Sequence, residues 1–76
     1  MNKERRKQIN DLYERLREIN SELGTVREEE QEAYDNMPES IQESNQGDMA
    51  QETIAALEEA ESEIESAMDC MSSAAE

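Results

Sequence analysis

The chain has no histidine, no tryptophan and no phenylalanine, and only one cysteine, one proline, two glycines and two tyrosines among its 76 residues. Without histidine, a zinc site or a histidine-based catalytic triad is excluded, and the lone Cys70 has no intramolecular disulfide partner. No apolar run is long enough to span a membrane. The start, MNKERRKQIN, has the charge of a signal peptide but no apolar stretch after it, so a cytoplasmic protein is expected. Bases are also missing from most of the chain. All seven (Lys3, Arg5, Arg6, Lys7, Arg15, Arg17, Arg27) fall in residues 1–27, where five acids leave a balance of +2; residues 28–76 carry sixteen acids and a balance of −16.

Periodicity is abundant. Ile9, Leu12, Leu16, Ile19, Leu23 and Val26 are spaced 3, 4, 3, 4, 3, and the phase continues through Glu30 to Ala33 and Met37. That is the heptad seam of a helix over about residues 3–35. Gly24-Thr25 interrupts it chemically, and Thr25 with Glu28 offers a fresh cap, so a break there is the competing reading; the unbroken phase favours one helix, weakened by about 1 kcal/mol at Gly24. In the second half Ala50, Thr53, Leu57, Ala60, Ile64, Ala67, Met71 and Ala74 repeat the spacing, large alternating with small, while Ile54 and Met68 flank the stripe. A second helix over about 48–74 follows.

Residues 36–47 form the hinge between them. Pro38 disfavours helix at the residue before it and suits the first position of a new one, so PESIQES reads as a short helical turn. Asn45-Gln46-Gly47 reads as a turn and Asp48 as the next N-cap, with Gln51 three residues on. The fold class is then all-α, a single antiparallel helical hairpin over 1–76. Folding the helices together pairs residues whose numbers sum to 83 and turns Leu12, Leu16, Ile19, Leu23, Val26, Leu57, Ile64 and Met71 inward, large side chains meeting alanine. The early bases of the first helix would lie beside Glu63, Glu65 and Asp69. With 34% hydrophobic residues the chain cannot enclose a large core alone. With Ile54, Met68, Tyr13 and Tyr34 on the flanks of the seam, two hairpins are expected to associate as a homodimeric four-helix bundle, or one hairpin to be completed by a partner; a domain-swapped dimer of extended helices would keep the hairpin's pairings in trans.

The segment EEEQEAYDNMPESIQES, Glu28 to Ser44, followed by a long acidic helix, resembles a type of short helical protein in Gram-positive bacteria and their phages. There an E-E-x-x-x-aromatic-D-N-aliphatic-P-E-S stretch joins two coiled-coil arms. The resemblance covers the hinge closely and the arms by pattern, and it brings no activity or catalytic residue. It implies a phage or prophage setting, in which small acidic proteins block host nucleic-acid enzymes or defence systems, and hence a host cytoplasm.

Carboxylate pairs at helical spacing, such as Glu58 with Glu61 or Glu61 with Glu65, lack the histidines of a di-iron bundle and the glycine turn of a calcium loop. They read as solvated helix faces. Glu30 in the seam reads as a register-fixing residue, Cys70 as a small buried hydrophobe, and Met37, Met49, Met68 and Met71 as core filling. Neither a catalytic residue nor a metal or other cofactor is expected. KERRK alone suits phosphate, but the other 49 residues are repelled by nucleic acid and anionic membranes and attracted to basic proteins. Acids Glu52, Glu58, Glu59, Glu61, Glu63, Glu65 and Asp69 of the second helix are the candidate partner-binding face, spaced closely enough to imitate nucleic acid. The expected function is a non-enzymatic acidic interaction protein that occupies the basic groove of a host nucleic-acid-binding or defence protein. A structural or oligomerisation module is the alternative.

Overall fold

A computed structural model describes residues 2–76. The order is α1 (Lys3–Asp35), α2 (Glu39–Gln42) and α3 (Asn45–Ala74), and the described residues contain no strand. Helix α1 begins where Asn2, in extended conformation, accepts the Arg5 N–H at its side-chain oxygen, 2.8 Å. It then runs through Gly24 without a break. Thr25 is a helix-interior residue, its hydroxyl donating to the Ser21 carbonyl at 3.3 Å, and caps nothing.

The chain leaves α1 through Asn36, whose N–H donates to the Glu32 carbonyl, and Met37, whose N–H donates to that of Tyr34, both at 3.0 Å. Pro38 (φ −57°, ψ 149°) then opens α2, its carbonyl accepting from the N–H groups of Ile41 and Gln42. The Gln42 side chain donates back to the Tyr34 carbonyl at 2.9 Å, which fastens the short helix across the end of α1. Helix α3 starts at Asn45, three residues before the expected position. Its N-cap is Ser44 (φ −88°, ψ 177°), not Asp48, and the Asn45-Gln46-Gly47 turn is instead the first helical turn. Gly47 is buried there because helix α3 passes directly over the Gln42 backbone, where a Cβ would fall on the Gln42 carbonyl. Asp48 keeps a favourable place in the first turn, near the positive end of the helix dipole.

The two long helices lie antiparallel in a rod of 58 × 15 × 12 Å with a radius of gyration of 17.3 Å, where a globule of this length has about 11 Å. The register differs from the expected one. A sum of 83 would face Glu61 with Glu22 and Gln51 with Glu32; instead Glu61 meets Arg27 at 2.7 Å and Gln51 meets the Tyr34 hydroxyl at 2.7 Å. Helix α3 is displaced toward the hinge because α2 and the turn around it use up chain in crossing the end of the rod.

The helices are also rolled. Positions shared with the expected seam, namely Ile9, Leu16, Leu23 and Glu30 on α1 and Leu57, Ile64 and Met71 on α3, are half-buried. The residues that complete the inner seam lie one position beyond the expected ones: Tyr13, Asn20, Arg27 and Tyr34 on α1, and Ile54, Glu61 and Met68 on α3. Ile54 and Met68, expected on the flanks, are among the most buried side chains of the molecule, each 7% exposed. Leu12, Ile19 and Val26, expected inward, are 46%, 47% and 49% exposed. The roll buries Ile54 and Met68 and sets Tyr13 and Tyr34 in the seam, with the bonds of Arg27 to Glu61 and of Tyr34 to Gln51 closing across it, and the same turn carries the Leu12 column out.

Candidate interaction surfaces

The rod has two unlike faces. On one, Arg17, Asn20, Ser21, Arg27, Glu61, Glu65 and Met68 line a shallow polar groove, continued toward the hinge by Gln31, Tyr34, Gln51, Ile54 and Glu58. The Arg27 Nε donates to Glu61 Oε2 at the centre, with side chains 29% and 17% exposed. The hydrogen bond to Glu61 holds the guanidinium above its ordinary pKa and the charge of that carboxylate adds to the effect; partial desolvation opposes it, and Glu28 and Glu58 contribute less. Gly24 lies under this pair, and a Cβ there would stand 2.9 Å from Glu61 Oε1, the far end of a flexible side chain. The Asn20 Oδ1 is buried beside this pair without a partner.

The opposite face is apolar. Leu12, Leu16, Ile19, Met71 and the stem of Arg15 enclose a groove of about 310 Å3, and Ile9 continues it toward the open end. Nearer the hinge Glu30, Met37, Met49, Ala50 and Thr53 line a second cleft, with Met49 66% exposed. Met49 is therefore a surface residue and not core filling. Heptad spacing sets Thr53, Ala60, Ala67 and Ala74 of α3 along the edge of this face across from Leu12, Ile19, Val26 and Ala33. Cys70 is exposed, not buried.

Six of the seven candidate partner-binding acids, Glu52, Glu58, Glu59, Glu63, Glu65 and Asp69, are exposed along α3. Glu61 is not among them, being turned into the seam. Among the described residues the bases near the open end do not bridge to the acids of α3 either; Arg17 pairs within its own helix with Glu14 at 2.8 Å. Of the sixteen acids after Arg27, Glu61 alone is ion-paired among the described residues. Charge is uneven along the rod. Residues 28–52 around the hinge hold nine acids and no base, whereas the open end, residues 2–17 with 63–76, has six bases against seven acids.

Among the described residues no group of three metal-ligating side chains is assembled, and no helix is long and apolar enough to cross a membrane. No protein-family model matches the sequence, nor does any curated protein or solved structure. The missed features, Arg27 and Glu61 in the seam and the polar ring of Tyr34, carried one faint sequence signal. Arg27 is the last base, and a glycine stands three residues before it.

Proposed function

We propose that the protein acts by binding, without catalysis, and presents the acids of its rod to a basic groove on a partner, a nucleic-acid-binding or defence protein of a bacterial host. The phage-type setting of the hinge resemblance supplies the context. The observation that carries this reading is the long unpaired array: fourteen exposed carboxylates from Glu28 onward with no base to neutralise them. On α3 eight acids over 30 residues, seven of them exposed, give one charge per roughly 6 Å along the helix. A nucleic-acid strand presents one per about 3.4 Å, so the rod offers a comparable string of negative points to a groove built for phosphates.

Capture from a host lysate at low salt followed by a salt gradient tests it. Binding should weaken steeply with ionic strength, compete with DNA or RNA, and be lost when Glu58, Glu59, Glu63 and Glu65 become Gln, which removes charge while keeping helix propensity. A partner indifferent to those four changes, or recovery of the protein alone, would transfer the case to the second reading. That reading is a structural, self-associating coiled-coil module, and the uncovered apolar face favours it.

A further inference from the structure

We propose that the face bearing Leu12, Ile19 and Val26 is covered by a second copy of this chain. The copy is turned about an axis parallel to the rod, so that the large column of α1 in each chain lies along the small column of α3 in the other. The inference makes no assumption about what the acidic surfaces bind.

Surface area gives the first argument. The chain exposes 5798 Å2, whereas a compact monomer of its 8.7 kDa mass exposes about 4,700 Å2. The excess of roughly 1,000 Å2 is close to the ~800 Å2 that each partner contributes to a stable interface of ordinary size. The kind of surface gives the second. Each helix carries, beside the two columns that meet in the hairpin seam, a third column left on the outside of the rod. The column of Leu16, Leu23, Leu57, Ile64 and Met71 sits between two seams and is half-buried by one of them. The covered seam is the more polar, with Asn20, Arg27 and Glu61 in it; the uncovered one has Leu12, Ile19 and Val26. On α1 the covered seam takes up a largely polar column and leaves an apolar one free, the pattern of a helix that packs against more than one neighbour.

The identity of the occupant comes from self-complementarity. Each chain offers large side chains on α1 and small ones on α3, side by side. The heights set by Arg27 with Glu61 and by Tyr34 with Gln51 place Ile19 level with Ala67, Val26 with Ala60, and Leu12 with Ala74. A two-fold axis along the rod then sets knob against alanine in both directions, the same patch serving each partner. Between Ile9 and Val26 no acid stands in these columns, and Glu30 marks where the face ends toward the hinge. Because each copy carries a net charge of −14, long-range electrostatics opposes the pairing and apolar contact drives it. Salt should therefore strengthen it, the reverse of its effect on binding to a basic groove.

Sedimentation equilibrium at micromolar concentration should give the mass of two 8.7 kDa chains, with association tightening several-fold as salt is raised. Ile19→Glu should weaken it by about 100-fold through an unpaired charge in the interface, while helicity is retained at high concentration because the side chain is half exposed in a single hairpin. A second test does not depend on that variant folding. Chains carrying Ile19→Cys and chains carrying Ala67→Cys, both in a Cys70→Ser background, should form a disulfide-linked heterodimer when mixed under mild oxidation. A monomer at high micromolar concentration, an Ile19→Glu chain that still dimerises, or a mixture that forms no 19-to-67 disulfide each overturns the proposal. None of these results touches the acidic-groove reading, whose Gln variants are predicted to dimerise at least as well as the parent.

Discussion

Gly24 and Gly47 are both helical, and neither has a positive φ, yet a methyl group would meet very different neighbours at the two places. At Gly47 it would fall on backbone, the Gln42 carbonyl, which cannot move without dislodging α2 from its bond to Tyr34. Gly47→Ala should cost about 2 kcal/mol or more and lower the melting temperature by roughly 10 °C, seen by circular dichroism. At Gly24 the methyl would meet only the far end of the Glu61 side chain, which can swing by a few tenths of an ångström. Replacing glycine by alanine inside a helix gains about 0.8–1.0 kcal/mol, so Gly24→Ala should be neutral to mildly stabilising in the same measurement. A destabilised Gly24→Ala chain would show instead that the carboxylate has no freedom to move.

The helices themselves were legible in the sequence, because long unbroken periodicity and a proline-marked hinge are local signals. Roll and register were not. The 3, 4 spacing from Ile9 to Val26 marks an apolar face correctly, but it does not say which neighbour that face meets. The column of Leu16 and Leu23 belongs to the seam in both pattern and structure, but an unbroken aliphatic column such as Leu12, Ile19 and Val26 reads as the inward one beside Asn20 and Arg27, and the structure turns it outward. Asp48 misled for a related reason. It has the chemistry of an N-cap, but Ser44 already holds the extended conformation from which α3 departs. The acidic face was read directly from composition except at Glu61, whose inward turn depends on Arg27, 34 positions away.

That ion pair defines the register, so it should be energetically visible. Arg27→Met leaves Glu61 in the seam without its partner and should lower the midpoint of urea denaturation. A double-mutant cycle with Glu61→Gln should return a small favourable coupling that shrinks as salt is raised. A coupling indistinguishable from zero would mean that apolar packing alone fixes the register.

For the molecule as a whole, shape and charge act together. A compact fold mixes its charges over a small sphere, whereas a 58 Å rod keeps them apart, with nine uncompensated acids at the hinge and near balance at the open end. The protein consequently carries a large permanent dipole moment along its length. A positively charged surface exerts a torque on such a particle before contact, so the rod arrives tip first, led by the loop and short helix around Pro38. Neutralising Glu39 and Glu43 should therefore slow encounter with a cationic partner in stopped-flow measurements at low salt, by about two- to fivefold, and leave dissociation nearly unchanged. The hinge, which looks like a passive connection between the arms, is the negative pole of the molecule.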